Sequence, residues 1–378
     1  MTESIKGFKD YSGEEAQKRA EIKKIIVETF EAYGFEPAET PIVEQESFVI
    51  EDASQGDEAI SDVFKLKDKG KRNLALRYEF TFQLKRLMRN KKLPYKRYQI
   101  GEVFRDEPVT KNRLRQFTQA DVDVIGSGVR NEAEILAMAD KLLRKLGVVP
   151  IVLINNRRLL NEILDDIKVK EKDRLQVLRE IDKYGKLDEK QIRKNLKKFK
   201  AEKIIDALKQ GEEYFNKFVG YKQIIALMEY CKLYNLKVLF SPTVIRGLSY
   251  YNGNVFEIKT RGIRETLIAG GSYMFNNVQS TGISFGVERL SSIAKLKVEK
   301  DKTLIVSLEQ DKEAINVAEK LRGKKQIVSI FYGKPSKALD YANAYGFGKV
   351  VFVGSKEVKA KRFKIKDMKS GKETILKI

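Results

Sequence analysis

The chain has 378 residues, which is enough for two or three domains. It has no run of about 18 apolar residues and no apolar leader at its N-terminus, so we expect a cytoplasmic protein without a membrane span. Its formal net charge of +21 favours a polyanionic partner, although a lysine-rich surface adapted to heat would give the same balance. Histidine is absent and cysteine occurs once, which excludes disulfides, histidine-ligated zinc and histidine bases, and leaves arginine, acidic residues, tyrosine, backbone groups and oxygen-bound metal for chemistry.

A long helix is the first predicted element. Residues 12–15 read Ser-Gly-Glu-Glu, a capping-box pattern, and apolar residues then recur at helical spacing as far as Gly34. Pro37 and Pro41 follow. Because proline donates no ladder hydrogen bond, they predict an edge strand or an interface and argue against a central strand.

An antiparallel hairpin is predicted next. Residues 63–66 and 74–81 alternate as strands do, and they flank the turn Lys-Asp-Lys-Gly. Alternation places Glu79 and Thr81 on one face of the second strand. The sequence therefore predicts that these two polar side chains point the same way.

A second hairpin, residues 98–107 and 116–125 around a short basic loop, carries the most informative alternation of the chain. Polar side chains share one face of each strand, and apolar ones lie behind them. The polar face holds Arg105 and Glu107 on the first strand, and Gln119, Asp121 and Asp123 on the second. A solvated outer face would show the same pattern, so the hairpin alone does not identify a binding site.

Helical sequence fills the middle of the chain. A helix is predicted over 131–146 and an apolar strand over 148–154. From 157 to about 235 helical periodicity continues in a Lys/Glu-rich background, which predicts a helical insertion with a small core of its own. Lys194, Lys197 and Lys198 share one helix face there, and such a basic run is usually a solvated surface.

Strands are predicted again over 238–284, followed by an apolar helix over 286–296. Within them, 246–251 read Arg-Gly-Leu-Ser-Tyr-Tyr, and consecutive tyrosines on a strand point to opposite faces. A core strand with a tyrosine pair explains that string equally well. After a charged linker at 298–302, alternating strands and helices predict a small α/β domain with mostly parallel strands.

Several motifs, in order along the chain, resemble those of class II aminoacyl-tRNA synthetases. The stretch 34–44 resembles motif 1, residues 104–107 with Arg113 and Phe117 resemble motif 2, and 282–290 resembles motif 3. The string 246–251 resembles the Arg-Gly-Leu-x-Tyr-Tyr signature of histidyl-tRNA synthetases, and Gly-Gly-Ser-Tyr at 270–273 resembles their second signature. The chain is therefore similar to the histidyl-tRNA synthetases of class IIa, and archaeal-like among them.

That resemblance implies a fold and four regions. The fold is an α+β catalytic domain with a mixed, mainly antiparallel sheet flanked by helices, which is the class II synthetase fold, with a helical insertion and a C-terminal α/β domain. The catalytic domain would occupy 1–155 and 237–298, the insertion 156–236, and an anticodon-binding-like domain 303–378. A homodimer is implied as well, because motif 1 forms the dimer interface in that family.

The resemblance also assigns roles to residues. ATP, with Mg²⁺ bound to it, would contact Arg105, Glu107, Arg113, Phe117 and Arg289, with the arginines on phosphates, Glu107 on the adenine amino group and Phe117 stacked on adenine. Histidine would contact Glu79, Thr81, Gln119, Asp123, Arg246, Tyr250, Tyr251 and Tyr273. The first three of these would hold the α-amino group, and Asp123 with Tyr251 the imidazole. Arg105, Arg246 and Arg289 would be catalytic, and no metal site built by the protein is implied.

The implied activity is formation of histidyl-adenylate from histidine and ATP, followed by transfer of histidine to tRNA(His). A chain without histidine suits this chemistry, because the substrate carboxylate is itself the nucleophile. Alternatives are an inactive paralogue that serves as a regulatory subunit of ATP phosphoribosyltransferase, a class II synthetase for another amino acid, and a nucleic-acid-binding protein that keeps only the fold. The chain departs from the second signature at Ser272 and Met274, where Arg and Asp are usual.

Overall fold

The structure is a computed structural model that describes residues 3–53, 62–110, 113–184, 187–245, 250–296 and 301–376. The chain divides into two compact units, Met1–Leu296 and Lys297–Ile378. The further division of the first unit into a catalytic part and an insertion stays a prediction. Within the described ranges, every helix is too short or too polar to cross a lipid bilayer.

The first unit combines strands with helices. Its described strands are β1 (Glu36–Pro37), β2 (Val43–Gln45), β3 (Lys65–Lys67), β4 (Asn73–Leu76), β5 (Tyr95–Phe104), β6 (Gln116–Ile125), β7 (Ile151–Asn156), β8 (Val238–Phe240), β9 (Tyr251–Thr260), β10 (Ile263–Phe275) and β11 (Val278–Gly286). Its described helices are α1 (Gly13–Ala32), α2 (Glu46–Ala53), α3 (Leu84–Leu87), α4 (Val129–Lys145), α5 (Arg157–Asp166), α6 (Glu171–Ile181), α7 (Glu189–Lys197), α8 (Lys203–Leu208), α9 (Glu212–Phe215), α10 (Val219–Leu233) and α11 (Val287–Ile293).

An eight-stranded sheet forms the centre of this unit, in the order β1-β5-β6-β11-β10-β9-β7-β8. Neighbouring strands are antiparallel except at the two edges, where β1 pairs with β5, and β7 with β8, in parallel. Pro37 lies in the edge strand, as predicted, because an edge needs no ladder donor on its outer side. A separate three-stranded sheet has the strand order β2-β4-β3. The predicted mixed and mainly antiparallel fold is confirmed.

Helix α1 is held by an apolar stripe. Ile22, Ile26 and Phe30 recur every four residues and are fully buried, and the Phe30 ring contacts the Phe285 ring of β11 with 6.1 Å between centroids. Each of these side chains contributes about 1.5–3 kcal/mol through burial. Ser12 is the N-cap residue, but its side chain makes no capping hydrogen bond. The helix begins where the capping box predicted, and tertiary burial stabilises it.

The helices between β7 and β8 share the main core of the unit. Phe215 and Phe218 belong to the same buried cluster as the side chains of β6, β7 and β9. The Phe215 ring also contacts the ring of Phe240 in β8, with 5.0 Å between centroids. The prediction of a separate small core was therefore wrong, because the apolar faces of these helices pack against the sheet and α4 as well as against one another.

Strand ends differ from their predictions at two places that matter for the site. Strand β6 has its predicted bounds, but β5 covers 95–104, whereas 98–107 was predicted. Beyond Arg105 the chain leaves β6, because the Asp106 amide bonds to the Asp62 carbonyl at 2.8 Å. Strand β4 ends at Leu76, so Glu79 and Thr81 lie in a loop and the predicted strand alternation does not apply to them.

The second unit is the predicted small α/β domain. It contains β12 (Lys302–Ser307), α12 (Asp311–Gly323), β13 (Ile327–Tyr332), α13 (Pro335–Ala344), β14 (Lys349–Val353), α14 (Ser355–Ala360), β15 (Lys364–Asp367) and β16 (Glu373–Ile375). The strand order is β13-β12-β14-β15-β16, with the first three strands parallel and the last two pairings antiparallel. The alternation of strands and helices therefore predicted this architecture correctly.

Candidate active site

A row of polar side chains lies buried on β6, in the middle of the large sheet. Gln119, Asp121 and Asp123 alternate along the strand and are only 4%, 4% and 5% exposed. Their partners across the β11 pairing are Gly286, Ser284 and Gly282. Burying carboxylates is costly unless other groups bind them. The polar face of this hairpin is therefore an enclosed surface, and the alternative of a solvated outer face is excluded.

Asp123 is held from two sides. The Arg97 guanidinium of β5, directly opposite it and fully buried, places Nη2 2.6 Å from Asp123 Oδ2. The Tyr273 hydroxyl donates a hydrogen bond of 2.5 Å to Asp123 Oδ1. A Cβ on Gly282 would lie 2.2 Å from that same oxygen, so only glycine leaves room for the carboxylate. Asp123 is thus a rigid acceptor between a cation and a phenol.

Three tyrosine rings pack together beside Asp123. The Tyr250 ring lies 4.7 Å from the Tyr251 ring and 5.6 Å from the Tyr273 ring, centroid to centroid. Tyr250 precedes β9, so the prediction that the two consecutive tyrosines point to opposite faces was wrong. Burial raises the pKa of Tyr250 and of Tyr273 well above the ordinary phenol value, with the Asp123 charge as the next cause for Tyr273. Both hydroxyls therefore stay protonated.

Glu79 and Thr81 meet in the loop after β4. The Thr81 side chain forms a hydrogen bond with the Glu79 carboxylate, and Glu79 Oε1 is buried without a hydrogen-bond partner. Burial, followed by the nearby charge of Asp121, raises the pKa of Glu79 to about 7. Glu79 and Thr81 are therefore close to each other, as predicted, but they are close because of the loop and not because they share one face of a strand.

Arg105 lies at the other end of the polar row. Its Nη2 donates to Gln119 Oε1 at 3.2 Å and its Nε to the Tyr78 carbonyl at 3.4 Å. The guanidinium also lies over the rings of Tyr78 and Phe117, 4.4 Å and 5.1 Å from their centroids. These contacts hold a cation close to a partly buried aromatic ring and to the buried row.

The outer rim of the site is more exposed. Glu107 Oε2 accepts from Arg113 Nη1 at 3.2 Å, and the Arg113 side chain is 66% exposed. Arg289, on α11, donates from Nη1 to the Thr266 carbonyl at 2.5 Å. Burial lowers the pKa of Arg289, and the positive charge of Arg113 lowers it further. Arg113 and Arg289 therefore form a positive region next to the motif-2 side chains.

Arg246, the remaining predicted arginine, lies in 246–249, outside the described residues. Within the described ranges, the other predicted residues fall into two groups. The first group is linked through contacts inside the site and consists of Arg105, Phe117, Gln119, Asp123, Glu79, Thr81 and the three tyrosines. Glu107, Arg113 and Arg289 lie along the rim.

The comparison with protein families decides what this constellation belongs to. The family model described as histidyl-tRNA synthetase matches residues 7–290, which include every predicted site residue. The chain belongs to the histidyl-tRNA synthetase family. Histidine–tRNA ligase 1 of Bacillus cereus is 32% identical over 409 residues, covering 98% of this chain and 96% of that protein. Histidine–tRNA ligase of Clostridium acetobutylicum is 30% identical over 425 residues, covering 99% and 97%.

Solved structures agree in fold with this histidyl-tRNA synthetase family member. The histidyl-tRNA synthetase from Nostoc sp. PCC 7120 superimposes with a TM-score of 0.86 at 23% identity, covering 99% of this chain and 96% of that one. A protein from Bacillus halodurans C, described as an ATP phosphoribosyltransferase regulatory subunit/histidyl-tRNA synthetase, gives 0.80 at 22% identity, covering 93% and 98%. At such identities the likeness shows the shared fold alone.

The departure from the second signature of the histidyl-tRNA synthetases has a local explanation. Ser272 is buried, and its hydroxyl donates to Glu132 on α4, while Asn254 Nδ2 donates to the other Glu132 oxygen at 2.6 Å. Burial raises the pKa of Glu132. An uncharged hydroxyl and an amide therefore satisfy this carboxylate where the usual signature has an arginine. Met274 is 49% exposed and is not part of this cluster.

Sequence reasoning missed Arg97 and gave Asp121 no role. Arg97 alternates with Gln99 along β5 and faces the acidic row of β6. That alternation was available in the sequence, but starting the strand at residue 98 left Arg97 outside it. Asp121 was placed on the right face, and only its burial shows that the residue lies inside the site.

Proposed function

We propose that this protein is a histidine–tRNA ligase, which forms histidyl-adenylate from histidine and ATP and transfers histidine to tRNA(His). The observation that carries the proposal is the fixed position of Asp123, between Arg97 and Tyr273 at the end of the buried row. A carboxylate can accept more hydrogen bonds than these two, and an acceptor held in this way suits a ring that donates through a nitrogen. Family membership supports the same conclusion.

Histidine would lie along β6 from Gln119 to Asp123. Asp123 accepts a hydrogen bond from an imidazole N–H, and Tyr250, Tyr251 and Tyr273 enclose the ring. Gln119, Glu79 and Thr81 lie where the α-amino group would be held. This orientation leaves the substrate carboxylate near Arg105, where the α-phosphate of ATP is needed.

ATP would occupy the opposite end, with adenine on Phe117 and its amino group at Glu107. Arg105, Arg113 and Arg289 would contact phosphate oxygens, because guanidinium groups match phosphate geometry. Mg²⁺ would enter bound to those phosphates. The ion supplies further charge neutralisation on the leaving pyrophosphate.

The chemistry requires orientation and positive charge. A carboxylate oxygen of histidine attacks the α-phosphorus, the bond to the pyrophosphate oxygen breaks, and histidyl-adenylate forms. Arg105 and Arg246 neutralise the charge that grows on the α-phosphate, which is the preorganised electrostatic stabilisation that lowers barriers most. A terminal hydroxyl of tRNA then attacks the acyl carbon, and AMP leaves.

Partners and assembly belong to the same proposal. Phosphate contacts to tRNA would come from the second unit and from three exposed lysines at the C-terminal end of α7, Lys194, Lys197 and Lys198. The edge strand β1, which contains Pro37 and is followed by Pro41, supports a homodimer through motif 1. A cytoplasmic location follows from a tRNA substrate. The archaeal-like placement stays a prediction, because the relatives compared above are bacterial.

Exchange of labelled pyrophosphate into ATP, tested with each of the twenty amino acids, checks the activity directly. We expect exchange with histidine alone. Asp123→Ala should remove about 2–4 kcal/mol of discrimination for histidine and leave the KM for ATP nearly unchanged, because the variant lacks the acceptor that a side chain without an N–H donor would leave unpaired. Asp340→Ala, at an exposed aspartate of α13, is the matched control. Exchange with a different amino acid, or with none, would contradict the proposal.

A regulatory subunit without catalysis is the second candidate, because one of the structural neighbours carries that description. The positive rim of Arg113 and Arg289 argues against it, since a protein that does not activate an amino acid has no need to hold ATP phosphates there. Wild-type protein that binds histidine but exchanges no pyrophosphate would favour this alternative.

A further inference from the structure

Asp121 lies at the centre of the buried row, between the residues proposed for the two ends of the amino acid. Gln119 on one side is proposed to hold the α-amino group, and Asp123 on the other side the imidazole. Side chains two residues apart on a strand are separated by roughly 7 Å. An amino acid that extends from Gln119 to Asp123 therefore passes directly over Asp121.

One oxygen of the Asp121 carboxylate lacks a partner. Oδ2 accepts from Gln119 Nε2 at 3.0 Å, whereas Oδ1 is fully buried and has no hydrogen bond of standard geometry. The Ser284 hydroxyl of β11 is the polar group nearest in the pairing, and it lowers the pKa of Asp121 through a side-chain hydrogen bond that only partly offsets burial. Glu79 Oε1, in the loop after β4, is also buried without a hydrogen-bond partner. Buried oxygens without donors are rare in folded proteins, and two of them at a substrate site indicate a missing donor.

The cations nearby are committed to other groups. Arg97 of β5 pairs with Asp123, and Arg105 donates to Gln119 and to a backbone carbonyl. Across the described ranges, no lysine or arginine forms an ion pair with Glu79 or Asp121. Tyr273 of β10 bonds to Asp123 and stays protonated. The positive charges of Arg97 and Arg105 thus act on Asp121 and Glu79 from nearby, but neither guanidinium forms an ion pair with these two carboxylates.

This arrangement favours the neutral form of the two carboxyl groups before an amino acid binds. Burial, and then the charge of Asp121, raises the pKa of Glu79 to about 7. Burial raises the pKa of Asp121 to about 6, where Arg97 opposes the shift and Asp123 adds to it. Near neutral pH the two carboxyl groups therefore hold a proton for part of the time.

We propose that Asp121 and Glu79 together bind the α-ammonium group of the amino acid, which makes Asp121 a substrate-binding residue that the sequence motifs do not assign. This inference rests on the proposed function. An ammonium group has three N–H donors, and we assign to it Asp121 Oδ1, Glu79 Oε1 and the Thr81 hydroxyl as acceptors, since the Asp121 charge acts on Glu79 and Thr81 bonds to Glu79. The arriving cation takes the place of the shared proton, so binding of the amino acid at neutral pH releases a proton to solvent.

Titration calorimetry on the full chain tests this through the ligand. Histidine, histamine, which keeps the ammonium group, and imidazolepropionate, which lacks it, are each titrated at pH 7 in phosphate and in Tris, whose ionisation enthalpies differ. We expect the binding enthalpy of histidine and histamine to depend on the buffer, because a proton is released. Imidazolepropionate should show a smaller dependence, limited to the contribution of the imidazole ring, which all three ligands share and which titrates near this pH.

Asp121→Asn tests the residue. We expect a Kd for histidine and histamine that is about 10- to 100-fold higher, a smaller buffer dependence, and unchanged Kd values for imidazolepropionate and ATP. The KM for histidine in pyrophosphate exchange should rise by the same factor, with kcat little changed. Asp340→Asn, at an exposed aspartate of α13, should match wild type throughout.

Several outcomes would overturn the inference. Equal losses for all three ligands would make Asp121 a structural residue, and unchanged histidine binding would leave it without a role in the site. The ligand comparison on wild-type protein stays decisive if the variant does not fold. If wild type binds another amino acid and not histidine, the proposed function fails, and the same comparison with that amino acid and its deaminated analogue still tests Asp121.

Discussion

Replacing Glu79 by Gln should stabilise the protein while it weakens activity. Ionising this carboxyl group costs free energy in its buried position, where the pKa is raised from the ordinary 4.5 to about 7. Gln keeps the shape and an oxygen that accepts the Thr81 hydrogen bond, but it cannot ionise. The substitution therefore removes a cost that the folded protein bears only at neutral and alkaline pH.

The magnitude follows from the shift. The folded state binds the proton on Glu79 more tightly than the unfolded chain does. The contribution of Glu79 to the free energy of unfolding is therefore largest below pH 4.5, falls between pH 4.5 and 7, and is constant above pH 7. At about 1.4 kcal/mol per unit, the full loss is about 3 kcal/mol. The variant should thus gain about 1 kcal/mol over wild type at pH 5 and about 3 kcal/mol at pH 8.

Urea unfolding of both proteins at pH 5 and pH 8, followed by far-UV circular dichroism, measures this difference. Glu15→Gln is the control, because Glu15 is an exposed partner of Lys9 on the same unit and should change stability by less than about 1 kcal/mol at either pH. Histidine-dependent pyrophosphate exchange by Glu79→Gln should fall as its stability rises. A stability difference that is zero, or that does not grow with pH, would refute the assignment of a buried and strained carboxyl group at Glu79.

Three further changes test other parts of the molecule. Arg246→Ala should lower the turnover of adenylation by about two to four orders of magnitude in the exchange assay and leave thermal unfolding unchanged; near wild-type turnover would remove it from the chemistry. Neutralising Lys194, Lys197 and Lys198 together should reduce the log–log salt dependence of tRNA binding by up to about three units while exchange stays intact, and an unchanged slope would make this face a solvated surface. Gly282→Ala should weaken histidine binding much more than ATP binding, because its Cβ would lie 2.2 Å from an oxygen of the Asp123 carboxylate. Normal histidine affinity in equilibrium dialysis would show that the strand can shift.

Much of the fold was predictable because its signals are local. Proline positions predicted the edge strand, alternation predicted the bounds of β6, and alternating strands and helices predicted the second unit. The errors occurred where contacts distant in sequence decide the outcome. Strand β5 ends at Phe104 because the following backbone bonds to residue 62, and no pattern within the strand contains that partner.

For the site, the sequence alone determined the family and which side chains alternate along β6, since both depend on residue order and on the two-residue period of a strand. Only the tertiary structure decided that this row is buried, because a solvated face and an enclosed one have the same alternation. Gly282 of β11, Arg97 of β5 and the loop that carries Glu79 close over it from separate parts of the chain. Their packing removes water from Asp121 and Asp123, and desolvation, which depends on all surrounding atoms at once, turns a row of ordinary carboxylates into groups that require a cation or a donor.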